Sequence, residues 1–216
     1  MDKLVKHGAD INKSRQDVAS PLLIAYQNGH LQIVSKLLKY EADFNICMKD
    51  DTSPLYMACQ NRHLDIVLKL LDKKVNTDVN KCIDSGASPL YIACQNGHDK
   101  IVKILLKHGA DINKSRHDGT PPLQIACYNN HIYVAEELLK VQSPKVDIDI
   151  CDSDGCTSLY LACKKEYNNI ARILLEHHAD PHRCNTNDHS PFTVAQEKGF
   201  NDILDIIEQH SSNEIP

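Results

Sequence analysis

A six-residue phrase recurs six times along the chain. In its clearest form it reads Ser88-Pro89-Leu90-Tyr91-Ile92-Ala93, and its copies begin at residues 20, 53, 88, 121, 157 and 190. Successive copies are therefore 33, 35, 33, 36 and 33 residues apart. Recurrence at a spacing of this size indicates a repeat protein, in which each unit buries its apolar surface against its neighbours rather than within itself.

The two long intervals come from insertions in one loop. In an ordinary unit, the loop after the second helix closes at Asn113, seven residues after Leu106. The corresponding distances are nine residues after Leu71 and ten after Leu139. Insertions of two and three residues account for the whole excess, so the underlying period is 33.

Each unit has the pattern of a helix pair. Ser88 can cap the first free backbone N–H groups of a helix, and Pro89 suits the first helical position, where its missing N–H costs nothing. The pattern predicts a short first helix over roughly 89–96 and a second helix over roughly 99–108 with one apolar stripe. Gly109 follows, where a left-handed residue ends a helix comfortably.

These features resemble the ankyrin-repeat family. The phrase is similar to the family's Thr-Pro-Leu-His-X-Ala turn and first helix, a Gly-His pair follows at 97–98, and the segment 105–113 is similar to the family's unit end. The resemblance implies an all-α repeat solenoid, a stack of helix-turn-helix units joined by β-hairpin loops, which we call fingers. The polar, turn-rich segment 110–119 agrees with such a finger. The resemblance also implies a protein that binds other proteins and needs no cofactor.

The repeats divide the chain as follows. We expect a partial repeat at 1–12, repeats at about 13–45, 46–80, 81–113, 114–149 and 150–182, a capping repeat at 183–210 and a disordered tail at 211–216. Residues 1–12 match only the second half of a unit. A lone second helix leaves apolar surface uncovered, so we expect the chain to be a piece of a longer array or an incomplete gene prediction.

Two positions depart from the family pattern. The usual His at the fourth place of the phrase is replaced in every unit, by Leu23, Tyr56, Tyr91, Gln124, Tyr160 and Thr193. The hydrogen bonds of that His must therefore be lost or made by another group, such as a Tyr hydroxyl. The helix-ending Gly is present at Gly8 and Gly109, whereas Glu41 and His178 replace it elsewhere. A Cβ disfavours the left-handed conformation, so we expect those units to be locally weaker.

The composition limits the function classes. The net charge is −5, and Lys and Arg are scattered along the chain, unlike the clustered basic face of a nucleic-acid binder. No apolar stretch approaches the roughly 18 residues of a membrane span. Nine cysteines without an export signal favour a reducing compartment, the cytoplasm or the nucleus. We therefore expect an intracellular monomer that does not bind nucleic acid and does not insert into a membrane.

Two columns of cysteines raise the question of thiol or metal chemistry. Four follow the Ala of the phrase and four lie in the fingers: Cys59, Cys94, Cys127 and Cys163, then Cys47, Cys82, Cys151 and Cys184. Packed helices lie about 8–10 Å apart. That is too far for a disulfide or for a shared zinc. We interpret the columns as reduced core residues, and expect Cys156, at a variable finger position, to be the most exposed thiol.

The histidines and aspartates do not indicate a catalytic site. One position between the helices recurs as His30, His63, His98 and His131, as expected for a structural hydrogen-bonding residue. Aspartates recur in the fingers, where turn chemistry explains them: Asp17, Asp50, Asp118 and Asp154. There is no phosphate-binding loop, dinucleotide fingerprint or HExxH helix. The sequence therefore predicts no catalytic or metal-binding residue and no enzyme.

Positions that vary between units are the candidates for binding a partner. The first helices end in a variable pair and the fingers vary at their tips, which gives twelve candidates: Gln60, Asn61, Gln95, Asn96, Tyr128, Asn129, Lys164, Lys165, Arg15, Arg116, His117 and Asp154. Tyr128 is the preferred anchor, because interface hot spots favour Tyr, Trp and Arg. Acid-rich fingers beside the two lysines favour a partner of mixed polarity.

The family resemblance also implies a modification. A Leu, five residues, then Asp, an apolar residue and Asn resembles the substrates of asparaginyl hydroxylase. Asn12, Asn45 and Asn113 end such a segment, whereas Asn80 does not because of the insertion.

Two functional hypotheses follow. The first is a non-enzymatic scaffold that binds a protein on the concave helix and finger surface. The alternative is a substrate-targeting or regulatory segment of a larger enzyme or signalling protein, which the partial first repeat favours.

Overall fold

The computed structural model describes residues 7, 10–13, 20–43, 47–48, 50–72 and 77–213, with side chains up to residue 210. Within these ranges the chain forms twelve helices in six pairs. The first helices of the pairs are α1 (Pro21–Gln27), α3 (Pro54–Gln60), α5 (Pro89–Gln95), α7 (Pro122–Tyr128), α9 (Ser158–Lys164) and α11 (Pro191–Lys198). The second helices are α2 (Leu31–Lys39), α4 (Leu64–Leu70), α6 (Asp99–Lys107), α8 (Ile132–Leu139), α10 (Asn168–Glu176) and α12 (Asn201–Asn213).

The first helices begin where the capping residues predict. A Ser or Thr oxygen accepts a hydrogen bond from the backbone N–H three residues later at α1, α3, α5, α9 and α11, as at Ser88 and Tyr91, where the distance is 3.1 Å. Helix α7 follows Pro121, which has no side-chain oxygen to offer. The predicted helices at 89–96 and 99–108 are confirmed to within one residue at their ends.

The helices form two layers. Each first helix packs against the first helices of the units beside it and against its own second helix, and the second helices form a layer behind them. The first helices pack against one another more closely than the second helices do, and we call the side of the array on which the first helices lie its inner side. The core between the layers is one continuous apolar cluster that runs from Leu22 to Ile207. This arrangement confirms the predicted all-α stack of helix-turn-helix units.

The fingers are closed turns that also bond to their neighbours. In the fourth unit, the N–H of Arg116 donates to the Thr120 carbonyl at 3.0 Å, and the N–H of His117 donates to Ser85 of the preceding finger at 3.0 Å. The described fingers contain no extended ladder; their one β-bridge, antiparallel, joins Gln142 to Lys145. The described fingers therefore reverse the chain direction, as a hairpin does, through a tight turn rather than through a pair of β-strands.

Histidines bond neighbouring units at the turns between the helices. His63, His98 and His131 each donate through Nε2 to a carbonyl of the preceding unit, at 2.9, 3.3 and 3.0 Å. The ring of His131 also packs over Gly97, where an added Cβ would lie 2.6 Å from the imidazole. Burial lowers the pKa of His98, and its hydrogen bond to the backbone of Gln60 offsets part of that effect. The structural role predicted for this position is confirmed at all three residues.

A second set of side chains bonds the unit ends together. Asn80 accepts from the N–H of Asp111 at 2.8 Å, and Asn113 accepts from the N–H of Asp147 at 2.9 Å. Asp149 replaces Asn in the next unit and accepts from the N–H of the following unit at 3.1 Å. Since each bond joins residues 31 to 34 positions apart, the period of the sequence is also the period of these contacts.

Three of the second helices, α2, α6 and α10, end in a left-handed residue, as predicted, whereas α8 ends at Lys140 in the right-handed helical conformation. Gly109 has φ of 82°, whereas Glu41 and His178 adopt φ of 61° and 65° despite their side chains. A Cβ added at Gly109 would meet no atom within 4 Å, so the cost of a side chain there is purely conformational. Gly8 lies outside the described residues.

The last helix is longer than the sequence predicts. Helix α12 continues to Asn213 and so extends three residues into the segment expected to be a disordered tail. Its polar end, Gln209 to Asn213, contains no helix-breaking Gly or Pro, and the first Pro follows only at 216.

The left-handed helix ends generate a test of local stability. We expect Gly109→Ala to lower the free energy of unfolding by about 1 kcal/mol, because only the backbone conformation opposes the added methyl group. We expect Glu41→Gly to raise it by about 0.5 kcal/mol for the opposite reason. Urea unfolding followed by circular dichroism measures both changes. A neutral Gly109→Ala variant would contradict the assignment of the strain.

Candidate functional site

A groove opens on the inner side of the array between α7, α9 and the two fingers that precede them. Its volume is about 330 Å³. The lining residues come from three consecutive units: Tyr91, Arg116, Asp118, Thr120, Gln124, Ile125, Tyr128, Asp152, Asp154, Cys156, Leu161 and Lys164. Four of the twelve predicted binding residues therefore lie together in one cavity: Arg116, Tyr128, Asp154 and Lys164.

Tyr128 forms one end of the groove. It is the last residue of α7, and 43 % of its surface is exposed, which makes it one of the few exposed large apolar side chains. The ammonium group of Lys165 lies 4.0 Å from the centre of its ring. This distance suits a cation–π contact, which keeps the ammonium group over the face of the ring.

Arg116 lies in the finger that forms the opposite wall. Its Nε is 3.5 Å from a carboxylate oxygen of Asp118, and its guanidinium interacts electrostatically with the Tyr91 hydroxyl. Burial raises the pKa of Tyr91, and the guanidinium offsets part of this increase. Asp118 in turn accepts from the N–H of Thr120 at 3.1 Å, and although burial raises the pKa of Asp118, this bond and Arg116 lower it on balance. The wall is therefore a set of charges already paired with one another.

Gln124 connects the floor of the groove to the next finger. Its side-chain nitrogen donates to Asp152 at 2.7 Å and to the Cys156 carbonyl at 3.0 Å, and the residue is completely buried. Asp152 also accepts from the N–H groups of Asp154 and Cys156. Gln124 occupies the place of the family's usual His, so in this unit an amide rather than a Tyr hydroxyl makes the contact between units. In the last unit, Thr193 instead completes a capping box with Ser190.

The finger aspartates act mainly in turns. Asp50 and Asp118 each accept from the N–H two residues later, as turn chemistry predicts. In the fifth unit this role falls to Asp152 instead of Asp154. The Asp154 side chain is exposed, and none of the described residues donates a hydrogen bond to its carboxylate. The turn role predicted for Asp154 therefore does not apply to it. Asp17 lies outside the described residues.

Several predicted binding residues instead join the units together. Asn96 donates to the Gln60 carbonyl and Asn129 to the Gln95 carbonyl, both at 3.1 Å. His117 packs over Gly86 of the preceding finger, and Asn61 caps α3. None of these residues lines the groove, and Arg15 lies outside the described residues.

The groove also contains residues that the sequence did not single out as binding residues. Ile125 and Leu161 form the apolar part of its lining, and both are half-buried. They occupy the fifth place of the phrase, where every unit has an apolar residue. The sequence marks them only as apolar residues at a repeated position of the unit, which predicts burial. Their partial exposure was therefore not predicted.

The cysteines that follow the Ala of the phrase are buried, and their thiols have a raised pKa. Cys59, Cys94, Cys127 and Cys163 are all inaccessible to solvent, and burial raises the pKa of each thiol, to about 12 for Cys127 and Cys163. All nine cysteines are free. The prediction that this column consists of buried core residues is confirmed.

The prediction for Cys156 was wrong. Only 7 % of its surface is exposed, because its finger closes through a bond from Asp152 to the Cys156 carbonyl and its side chain packs with Tyr160 and Val194. The exposed thiol is Cys184, in the last finger.

No group of three or more metal-binding side chains converges anywhere in the described part of the protein. Among the same residues, no helix combines the length and the apolar character needed to cross a membrane.

The geometry of stacked helix pairs with finger turns defines the class of protein, and comparison with known families agrees with it. The chain belongs to the ankyrin-repeat family: the family model described as Ankyrin repeats (3 copies) matches residues 1–81, 73–148 and 140–214. Ankyrin repeats are generally protein-interaction modules and typically have no catalytic activity.

Thiol labelling tests the burial of the cysteine columns. In the folded protein near pH 7.5, we expect iodoacetamide to modify Cys184 first. Cys127 and Cys163 should react about a thousandfold more slowly, because a pKa near 12 leaves almost no thiolate. Peptide mass spectrometry gives the rate at each site, and labelling in urea provides the unfolded control. Equal rates at Cys127 and Cys184 in the folded protein would contradict the structure.

Proposed function

We propose that this chain is a non-enzymatic scaffold that binds a segment of a partner protein in the groove between α7 and α9. The observation that carries the proposal is the groove itself, in which an exposed aromatic ring, aliphatic side chains and charged groups meet within about 330 Å³. Pockets of this size and mixed lining suit one or two side chains of a ligand.

The residues at the helix ends beside the groove differ from those at the same positions in the earlier units, and this difference supports the proposal. At the ends of α1, α3 and α5 the variable pair is Gln-Asn, and the Asn that follows α1 or α5 donates to a backbone carbonyl of the array. At α7 and α9 the pairs become Tyr128-Asn129 and Lys164-Lys165. Tyr128 and the two lysines are exposed, so they are not explained by packing within the array. Exposed residues of this kind on a rigid scaffold are more often used for recognition than for stability.

The proposal also includes a cellular location and an oligomeric state. Nine free thiols support a reducing location, the cytoplasm or the nucleus. Each described unit covers its neighbours without a second subunit, which supports a monomer.

A pair of tyrosine variants tests the groove. We expect Tyr128→Ala to weaken partner capture from a lysate of the source organism by about tenfold or more, because it removes the exposed aromatic side chain of the groove. The matched control is Tyr133→Ala, since Tyr133 is 77 % exposed but lies on α8 of the other layer. Quantitative mass spectrometry after cross-linking measures capture, and circular dichroism checks that both variants fold.

The outcomes separate the groove from other surfaces. Loss of a partner with Tyr128→Ala alone supports binding in the groove. Equal capture by wild type and Tyr128→Ala, or loss only with Tyr133→Ala, would contradict it.

We also propose that Asn12, Asn45 and Asn113 are substrates of an asparaginyl hydroxylase. Such an enzyme inserts one oxygen atom of O₂ into a C–H bond of the Asn side group, while the reducing co-substrate that it binds takes the other oxygen atom. In the folded protein, the Asn113 amide accepts from Asp147 and donates to the Lys145 carbonyl at 3.1 Å, so modification requires this turn to open. Asn45 lies outside the described residues.

Asn80 provides an internal comparison for this modification. It makes the same bond to the next unit as Asn113 does, although its distance from the preceding Leu differs by two residues. We expect peptides of the protein isolated from cells to gain one oxygen atom at Asn12 and Asn113 but not at Asn80, because recognition follows the linear spacing. Unmodified Asn12 and Asn113 would reject the proposal, and modification of Asn80 would show that geometry rather than spacing is recognised.

A further inference from the structure

Three lysines lie at the ends of α9 and α11. Lys164 lines the groove, Lys165 contacts Tyr128 of the groove, and Lys198 bonds to the Lys164 carbonyl. Lys164 and Lys165 end α9, and Lys198 ends α11. Within the described residues, no Asp or Glu oxygen lies within 4.0 Å of any of the three ammonium groups. We call these three residues the lysine corner.

The array itself holds the lysine corner in place. The ammonium group of Lys198 donates to the Lys164 carbonyl at 3.2 Å, which is the bond that Asn96 and Asn129 make in the earlier units. Lys165 takes the same sequence position in its own unit, but its ammonium group lies over the ring of Tyr128. The charges are therefore fixed on a surface where other units have neutral amides.

The acids of the groove do not neutralise this corner. Asp118 is engaged by Arg116 and Thr120, and both oxygens of Asp152 accept hydrogen bonds from the array. Asp154 is exposed at the tip of its finger and lines the same groove as Lys164. The groove thus has positive charge at the helix ends, apolar side chains in the middle and one free carboxylate at the finger.

The charge distribution identifies the kind of partner. We propose that the partner segment is a peptide with an Asp or Glu that meets the lysine corner, next to an aliphatic or aromatic residue that packs on Ile125 and Leu161. This inference rests on the proposed function, because it specifies the ligand of the same groove. A nucleic acid fits less well, since its continuous row of phosphates would extend from the lysines to the free carboxylate of Asp154, which would repel it.

Selection from a phage-displayed library of random dodecapeptides tests this inference. We expect the wild-type protein to enrich peptides that combine Asp or Glu with a neighbouring Leu, Ile, Met or Phe. Affinities of the enriched peptides, measured by fluorescence polarisation, should fall with added salt, because exposed charge pairs are screened.

The repeats themselves supply the variant for the lysine corner. Lys164→Gln with Lys165→Asn recreates the Gln-Asn pair that ends α3 and α5, so the frame tolerates it. We expect this variant to bind the selected acidic peptides about tenfold more weakly. The matched control is Lys107→Gln with Arg172→Gln, which removes the same charge from exposed positions on second helices and should leave affinity unchanged. Asp154→Asn should retain or strengthen binding of the acidic peptides.

The remaining outcomes separate an error in the acidic partner from an error in the groove. Selected peptides without an acidic bias, or equal loss of affinity in the variant and the charge-matched control, would overturn the acidic partner while the groove stands as a binding site. Failure of the wild-type protein to enrich any peptide would overturn the acidic partner together with the proposed groove.

Discussion

The structure depends on contacts that one unit makes with the backbone of the next. A carbonyl at the end of a first helix, such as that of Gln95, receives bonds from both Asn129 and His131 of the following unit. At the opposite end of the unit, an Asn such as Asn113 receives the N–H of the next unit. Because no helix pair can satisfy these groups or cover its apolar face alone, the array is stable only as a stack.

The groove arises where residues that connect the units are substituted, and not where a segment is inserted into the repeat. Replacing the frame Asn by Lys165 frees a charge that then lies over Tyr128. Replacing the family's His by Gln124 ties the floor of the groove to the following finger. The same positions that elsewhere connect units therefore present a surface here, and the rest of the stack holds that surface rigid.

The sequence predicts the frame well and the surface less well. Helix limits follow from local signals, such as the Ser88 cap and the apolar stripe of α6, and these signals do not depend on neighbouring units. Exposure depends on how adjacent units meet. Cys156 was expected to be exposed and is buried beneath the next unit. Asn96 and Asn129 were predicted as candidate binding residues, and both bond to the preceding unit. Tyr128 was selected as the preferred anchor because interface hot spots favour Tyr. The groove beside it was not predicted, because residues of three different units line it.

The most direct test of the central claim, that the groove between α7 and α9 binds a protein, is site-specific photo-cross-linking in cells. A photoreactive phenylalanine analogue would replace Tyr128 in one variant and Tyr133, on the other layer, in a second. A discrete cross-linked protein from the Tyr128 position, absent from the Tyr133 position, is the predicted result. Cross-linking to a discrete protein only from the Tyr133 position would contradict the claim and place the binding surface on the second helices.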